Sequence, residues 1–358
     1  MPIVAVKRLT NGVKLAEDVH TSLGGLLFAK GTPVSEREKE FLEAFLVDQV
    51  NVEEMESAPA EPKKEETVKE KESTPVKSKP VGFHQQFEKA IFSLKGLLQR
   101  VQGGQNIPVM EVREVIAPIL KLAQEQPNVL LALPKATNVD SYTYTHSIVV
   151  GLLSYMIAKW MKIPEREWMQ VALAGTLLDV GKTKVHPRIL QKPGKLTQQE
   201  FEEMKKHTVY GYQVIKASTG LSEGVALAAL QHHEREDGSG YPLGLPGSKL
   251  HLYSKITAVA DVYHAMCSDR IYRKAASPYV VVEQLIQDSF GKLDPTIVHT
   301  FVNGITQFSV GMAVELSDGT IGKIIFNDRN HPTRPMVESN GKIIDLKTAR
   351  QLSIARVL

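Results

Sequence analysis

The chain has 358 residues, enough for two or three domains, one of them large enough for a substantial core. Its 43 basic and 40 acidic residues leave a net charge of +3, which carries no nucleic-acid signature. The single cysteine, Cys267, excludes an intramolecular disulfide framework and a multi-thiolate zinc site, and reads as a buried, inert thiol. No apolar run is long enough for a transmembrane segment and the N-terminus has no signal-peptide stretch, so a cytoplasmic protein is expected.

Residues 1–53 alternate in short runs (IVAV, VKLAEDV, GGLLFAKG) punctuated by Gly24, Gly25, Gly31 and Pro33, and read as a small β-rich module. Ser35 with Glu38 predicts a capped short helix over REKEFLEAFLV. Residues 54–80 carry four prolines, no aromatic residue and interleaved Glu and Lys. Such a segment buries too little apolar area to offset chain entropy, so it reads as a disordered charged linker. From Phe83 apolar residues recur at three and four, predicting two helices separated at Gly103–Gly104, the second opening at Pro108 and carrying Pro118. These two are packing elements or a homodimer surface. Further helices are expected over about 140–161, over EREWMQVALAGTLLDVG, over FEEMKKHTVYGYQVI behind a Thr197–Glu200 capping box, over 221–233 and around 252–268. Ser277–Pro278 and Asp294–Pro295 look like helix starts. The helical domain is therefore placed at 81–305, and 306–358, with its Asp-Gly and Asn-Gly turns, reads as a second small β-rich module. His20 and His331 read as surface or structural residues.

Between residues 144 and 273 lie groups with the chemistry of divalent-metal ligands: His146, Asp179, His207, the run His232-His233-Glu234, and Asp261. Asp261 sits in the apolar stretch ITAVADVYHA, where a carboxylate needs a metal, a hydrogen bond or a cation to offset desolvation. Adjacent histidines diverge by about 100° on a helix, so His232 and His233 face one ion only from a helix end or a distorted turn. Two readings stand, scattered satisfied polar groups or one shared centre. The HHE run beside the Gly-rich loop DGSGYP favours the second.

LLDVGK, KPGKLTQQEFEEMKKH, HHEREDGSGYP and ADVYHAMCSDRIYRKA, in that order, strongly resemble the HD-GYP family, a subgroup of the HD phosphohydrolase superfamily, over roughly residues 85–305. The resemblance implies an all-α HD-GYP catalytic-type domain flanked by small β-rich N- and C-terminal modules. It implies hydrolysis of the bacterial second messenger cyclic di-GMP to pGpG or GMP with iron or manganese ions. Carried over by residue, His146, Asp179 and Asp261 match one metal set, and Asp179, His207, His232 and His233 the other. Lys182 matches a lysine at the scissile phosphate, and Arg270 and Arg273 a basic pair that holds phosphate. Asp237, Gly238, Gly240, Tyr241 and Pro242 form the GYP loop that shapes the site. The family reads LLHDIGK where this chain has LLDVGK, so Leu178 stands in place of the histidine of the HD pair and one ligand is lost. His264 stands where the family usually has aspartate, a supporting group or a substitute ligand. The resemblance thus implies either a metal-dependent phosphodiesterase or, because of Leu178, a degenerate module. Such a module would bind cyclic di-GMP, or a partner such as a GGDEF cyclase, without efficient turnover.

Overall fold

The structure, a computed structural model, describes residues 3–6, 9–10, 12–20, 26–35, 38–39, 42, 47, 49–52, 83–125, 130, 139–268, 277–307, 309–328 and 330–358. They fall into two compact units, 1–76 and 77–358. The linker expected over 54–80, most of the helix expected after Ser35, and Arg270 and Arg273 lie outside the described residues.

In the first unit β1 (Ile3–Ala5) pairs antiparallel with β4 (Gln49–Asn51), and β2 (Val19–His20) with β3 (Leu26–Phe28). Leu15, Val34, Leu42 and Val50 fill its core. Ser35 and Glu38 make the expected capping contact, with the Ser35 N–H donating to Glu38 Oε2 at 2.9 Å.

The second unit is helical up to Thr306. α1 (Phe83–Gln102) and α2 (Val109–Glu125) present one apolar face each, Phe87, Leu94, Leu98 and Val112, Ile116, Ile119. These faces join the same core as the more apolar α3 (Val139–Trp160) and α4 (Glu165–Leu177). A 3₁₀ turn follows at Val180–Lys184, then α5 (Pro187–Leu190) and α6 (Gln198–Lys205). The capping box at α6 is present in both directions, Thr197 Oγ1 accepting from Glu200 N and Glu200 from Thr197 N. One continuous helix was expected there. The chain instead breaks at Lys206 and starts α7 (His207–Lys216) anew. α8 (Glu223–Gln231), α9 (Leu252–Cys267), α10 (Pro278–Asp288) and α11 (Pro295–Thr306) complete the helical part. Asp294 caps α11 by accepting from Thr296 N and Ile297 N, whereas Ser277 makes no side-chain cap on α10.

β5 (Ala313–Leu316), β6 (Ile321–Phe326), β7 (Met336–Ser339), β8 (Lys342–Asp345) and β9 (Ile354–Val357) form one antiparallel sheet in the order β8-β7-β6-β5-β9. Its core of Val314, Ile324, Val337 and Ile354 includes Tyr279 of α10, so the sheet packs against the helices within one unit. His331 is exposed and pairs with Asp328 at 3.0 Å. Among the described residues no helix is long and apolar enough to cross a membrane.

Candidate metal centre

Three helix ends and two helix interiors bring the predicted groups together. α3 carries His146, α4 runs into Asp179, α7 opens on His207, α8 ends at His232, and α9 carries Asp261. The turn after Asp179 lies directly on α7, because a Cβ on Gly181 would sit 1.9 Å from His207 O and 2.4 Å from Gly211 N. Only a residue without a side chain allows that approach. His232 caps α8 and His233 follows in a turn, which is how two adjacent histidines face one point.

The tautomers follow from the backbone. His207 Nδ1 lies 2.7 Å from Met204 O, and His232 Nδ1 lies 3.1 and 3.0 Å from Ala228 O and Ala229 O. A carbonyl only accepts, so both Nδ1 atoms hold the hydrogen and both Nε2 atoms are bare in the neutral rings. These two Nε2 atoms are 3.4 Å apart. Asp179 Oδ1 stands 3.4 Å from His207 Nε2 and 3.8 Å from His232 Nε2, is buried, and has no hydrogen-bond partner among the described residues. Nitrogen donor atoms of His207, His232 and His233 all lie within 4.8 Å of one another. Lone pairs converging with no hydrogen between them are what a divalent cation offsets. The residues therefore fit a metal ion.

Electrostatics agree with that fit. Burial lowers the His207 pKa to about 4 against the pull of Asp179, and burial likewise lowers His232 and, well below the ordinary value, His233. The rings are thus neutral at pH 7, the state a ligand requires. Burial alone raises the Asp179 carboxyl. The Lys182 ammonium outweighs it and holds the carboxyl well below the carboxylate range. Asp261 is held low against burial chiefly by its hydrogen bond with His146.

On the other side of Asp179, His146 Nε2 lies 3.1 Å from Asp261 Oδ1 and 3.8 Å from Asp179 Oδ2. Lys182 Nζ binds that same Oδ2 at 2.6 Å. Burial lowers the Lys182 pKa, but Asp179 overrides it and keeps the ammonium charged. His146, Asp179, Lys182, His233, Arg235 and Asp261 line one pocket of about 370 Å³. Leu178 is buried in the core cluster, so hydrocarbon stands beside Asp179.

One reading is corrected by the geometry. Glu234, grouped with the histidines as metal-like, is turned away from them: its Oε1 accepts from Leu243 N at 2.7 Å and its Oε2 from Leu245 N at 3.1 Å. It holds the loop that follows. Glu236 is engaged by Lys255 at 3.0 Å. In the loop itself Asp237 Oδ1 accepts from Ser239 N at 2.9 Å and Gly238 has φ +77. A Cβ on Gly240 would meet Glu234 Cα at 2.3 Å. Tyr241 stacks on His233 at 4.7 Å and 29°, and the Tyr241–Pro242 bond is cis. His264 is buried, and its Nδ1 is 2.8 Å from His146 Nδ1.

Sequence reasoning passed over Arg235 and Tyr142. Arg235 Nη1 donates to Glu234 O at 2.9 Å, and the side chain lines both the metal-side pocket and a neighbouring one of about 340 Å³ that contains Ser239, Tyr241 and Lys292. Its place directly after the ligand run was the available signal. Tyr142 stacks on His146 at 5.6 Å, one helical turn before it.

A helical domain with a buried imidazole–carboxylate centre is the class that fold and site define. A family model, the HD domain, matches residues 115–297, and the chain belongs to that family, within its HD-GYP group. The chain is 34% identical over 222 residues to cyclic di-GMP phosphodiesterase PA4108 of Pseudomonas aeruginosa, covering 62% of this chain and 53% of that one. It is 41% identical over 166 residues to a cyclic di-GMP phosphodiesterase of Thermotoga maritima, covering 46% of this chain and 45% of the relative. The chain thus spans about half the length of these curated relatives. Among solved structures, Bd1817, a HDG"Y"P protein from Bdellovibrio bacteriovorus, superposes with a TM-score of 0.51 at 14% identity. The match covers 84% of this chain and 97% of that one, a likeness of fold.

Proposed function

We propose that this chain is a metal-dependent phosphodiesterase that opens a 3′,5′-phosphodiester of cyclic di-GMP to give pGpG, GMP or both. The observation that carries the reading is the set of bare acceptors converging on Asp179 beside the charged Lys182. The substrate is the one named for the relatives at 34% and 41% identity. In this reading Asp179, His207, His232 and His233 hold one divalent ion, and His146, Asp179 and Asp261 hold a second, iron or manganese. A bound divalent ion supplies Lewis acidity and a low-pKa water. Lys182 places a positive charge where a non-bridging phosphate oxygen collects negative charge. Arg270 and Arg273, assigned by resemblance alone, clamp the second phosphate. Arg235 faces the substrate from the far side of the pocket.

Leu178 favours a second reading. With no lone pair at that position, the His146 side binds its ion weakly, and the chain becomes a module that binds cyclic di-GMP or a GGDEF cyclase without turnover. Anaerobic metal analysis with a cyclic di-GMP turnover assay separates the two. Two ions and a linear product support the enzyme. A metal-loaded protein that binds the nucleotide without cleaving it under iron and manganese rejects the first reading and leaves the second.

A further inference from the structure

α1 buries one face, with Phe87, Ala90, Leu94, Leu98 and Val101. On the opposite face Glu88, Phe92, Gly96 and Arg100 follow one another at four-residue spacing, which sets them in one row along the helix. All four are exposed, Phe92 by 82%. Glycine destabilises a helix interior relative to alanine, and a Cβ on Gly96 would meet nothing within 4 Å. Among the described residues, then, no packing within the chain uses the gap above Gly96. Phe92, Gly96 and Arg100 border a groove of about 590 Å³ between α1 and α2, with Val115 and Pro118 on its other side. The row therefore offers an aromatic ring that fills no hole beside a hole that no ring fills.

We propose that this face of α1 docks on the same face of a second copy of the chain, the two helices antiparallel about a two-fold axis between Phe92 and Gly96. The row reads acidic, large, small, basic, and turned end over end it meets its own complement. Phe92 enters the gap over the partner's Gly96, and Glu88 meets the partner's Arg100. Each contact occurs twice, as an isologous interface requires. The flanking positions obey the same rule: Lys89 falls opposite Gln99 and Lys95 opposite Ser93, so no like charges meet. Parallel helices would instead set Glu88 on Glu88 and Arg100 on Arg100. Arg100 also pairs with Glu111 of its own chain, with both side chains partly in solvent, and a guanidinium has donors enough for two carboxylates. No residue of the row lines the metal-side pocket, so the inference stands apart from the proposed function.

The test is sedimentation velocity of the full chain over a concentration series from about 1 to about 100 μM, where a monomer–dimer equilibrium is expected. Phe92→Ser should weaken the dimer by about 30-fold, the scale of an aromatic hot spot. Gly96→Leu should weaken it similarly while the thermal midpoint stays at or above the parent's, because leucine is the better helix former and meets open space there. Glu88→Arg and Arg100→Glu should each weaken self-association several-fold, and an equimolar mixture of the two should recover it, because the mixed dimer regains both charge pairs. A concentration-independent monomer overturns the proposal, whether radical footprinting then finds Phe92 bare or covered by residues 1–76 of its own chain. A dimer whose Kd is unmoved by Phe92→Ser and Gly96→Leu overturns it, and so does a loss in the two charge variants that mixing leaves unrepaired.

Discussion

Restoring the ligand that the family pattern expects gives the sharpest test of the centre. Leu178 is 1% exposed and belongs to the core of the helical unit. Leu178→His gives up a buried leucine, worth about 1.5–3 kcal/mol, and adds a buried imidazole whose unmet polar atoms cost about 1–3 kcal/mol. Metal-free variant is therefore expected to be less stable than the parent by on the order of 3 kcal/mol. If the new imidazole reaches the ion on the His146 side, affinity there should rise by about 10–100-fold, the scale on which supporting interactions of a metal ligand act. Metal in roughly 1,000-fold excess over Kd returns about 4 kcal/mol. Added metal should thus rescue the variant more than it stabilises the parent. The assay is thermal unfolding in chelator and across a manganese series without oxygen, with cyclic di-GMP turnover on the same samples. A variant that is destabilised yet shows the parent's metal dependence would refute the reasoning. It would mean that residue 178 does not face the ion and that the missing ligand does not limit the site.

The remaining expectations concern the scaffold and the pocket. Gly181→Ala drives a Cβ into His207 O and Gly211 N, both backbone atoms. It should lower the thermal midpoint by the equivalent of about 3 kcal/mol or more and abolish tight zinc binding; parent-like stability would show that the two segments can part. Glu234→Ala removes the acceptor of the part-buried Leu243 and Leu245 N–H groups, at on the order of 1 kcal/mol each. Amide exchange at Leu243 and Leu245 should accelerate while metal stoichiometry is kept, whereas loss of an ion would return Glu234 to the ligand set. In chelator, folding stability should fall as pH drops from 6.5 toward 4, because folded His207 titrates at about 4 and His232 and His233 are also depressed. Depressed groups bind fewer protons in the folded state, so their contribution is present above the unfolded pKa and lost on acidification, on the order of 3 kcal/mol for His207. A flat profile between those pH values would contradict the burial argument. Arg235→Ala should raise KM for cyclic di-GMP by about tenfold, the worth of one charge-assisted hydrogen bond, and leave cleavage of bis(p-nitrophenyl) phosphate near the parent rate. An equal loss on both would place Arg235 in scaffold support.

Much of this was legible from local chemistry. Apolar spacing located α1 to α4, and Thr197 with Glu200 marked the start of α6, because propensity, periodicity and capping act over a few residues. His232 and His233 were readable as co-facing from a helix end, and α8 does end there. The break at Lys206 was not readable, since the apolar pattern runs through it and the packing of Gly181 on Gly211 sets the new helix start. Glu234 was misread because a carboxylate beside two imidazoles has ligand chemistry. Its partners lie nine and eleven residues further on, in a loop with no periodic signal. The His146–His264 pair is separated by 118 residues and is created by the packing of α3 against α9, which no local pattern encodes.

Each of the rings of His207 and His232 spends one nitrogen on its own main chain. Their directions are therefore decided by helix geometry before any ion arrives, and the coordination polyhedron belongs to the fold. An incoming cation has to adapt to the protein, so ions differ at this centre through size and preferred angles more than through any rearrangement of the side chains that receive them.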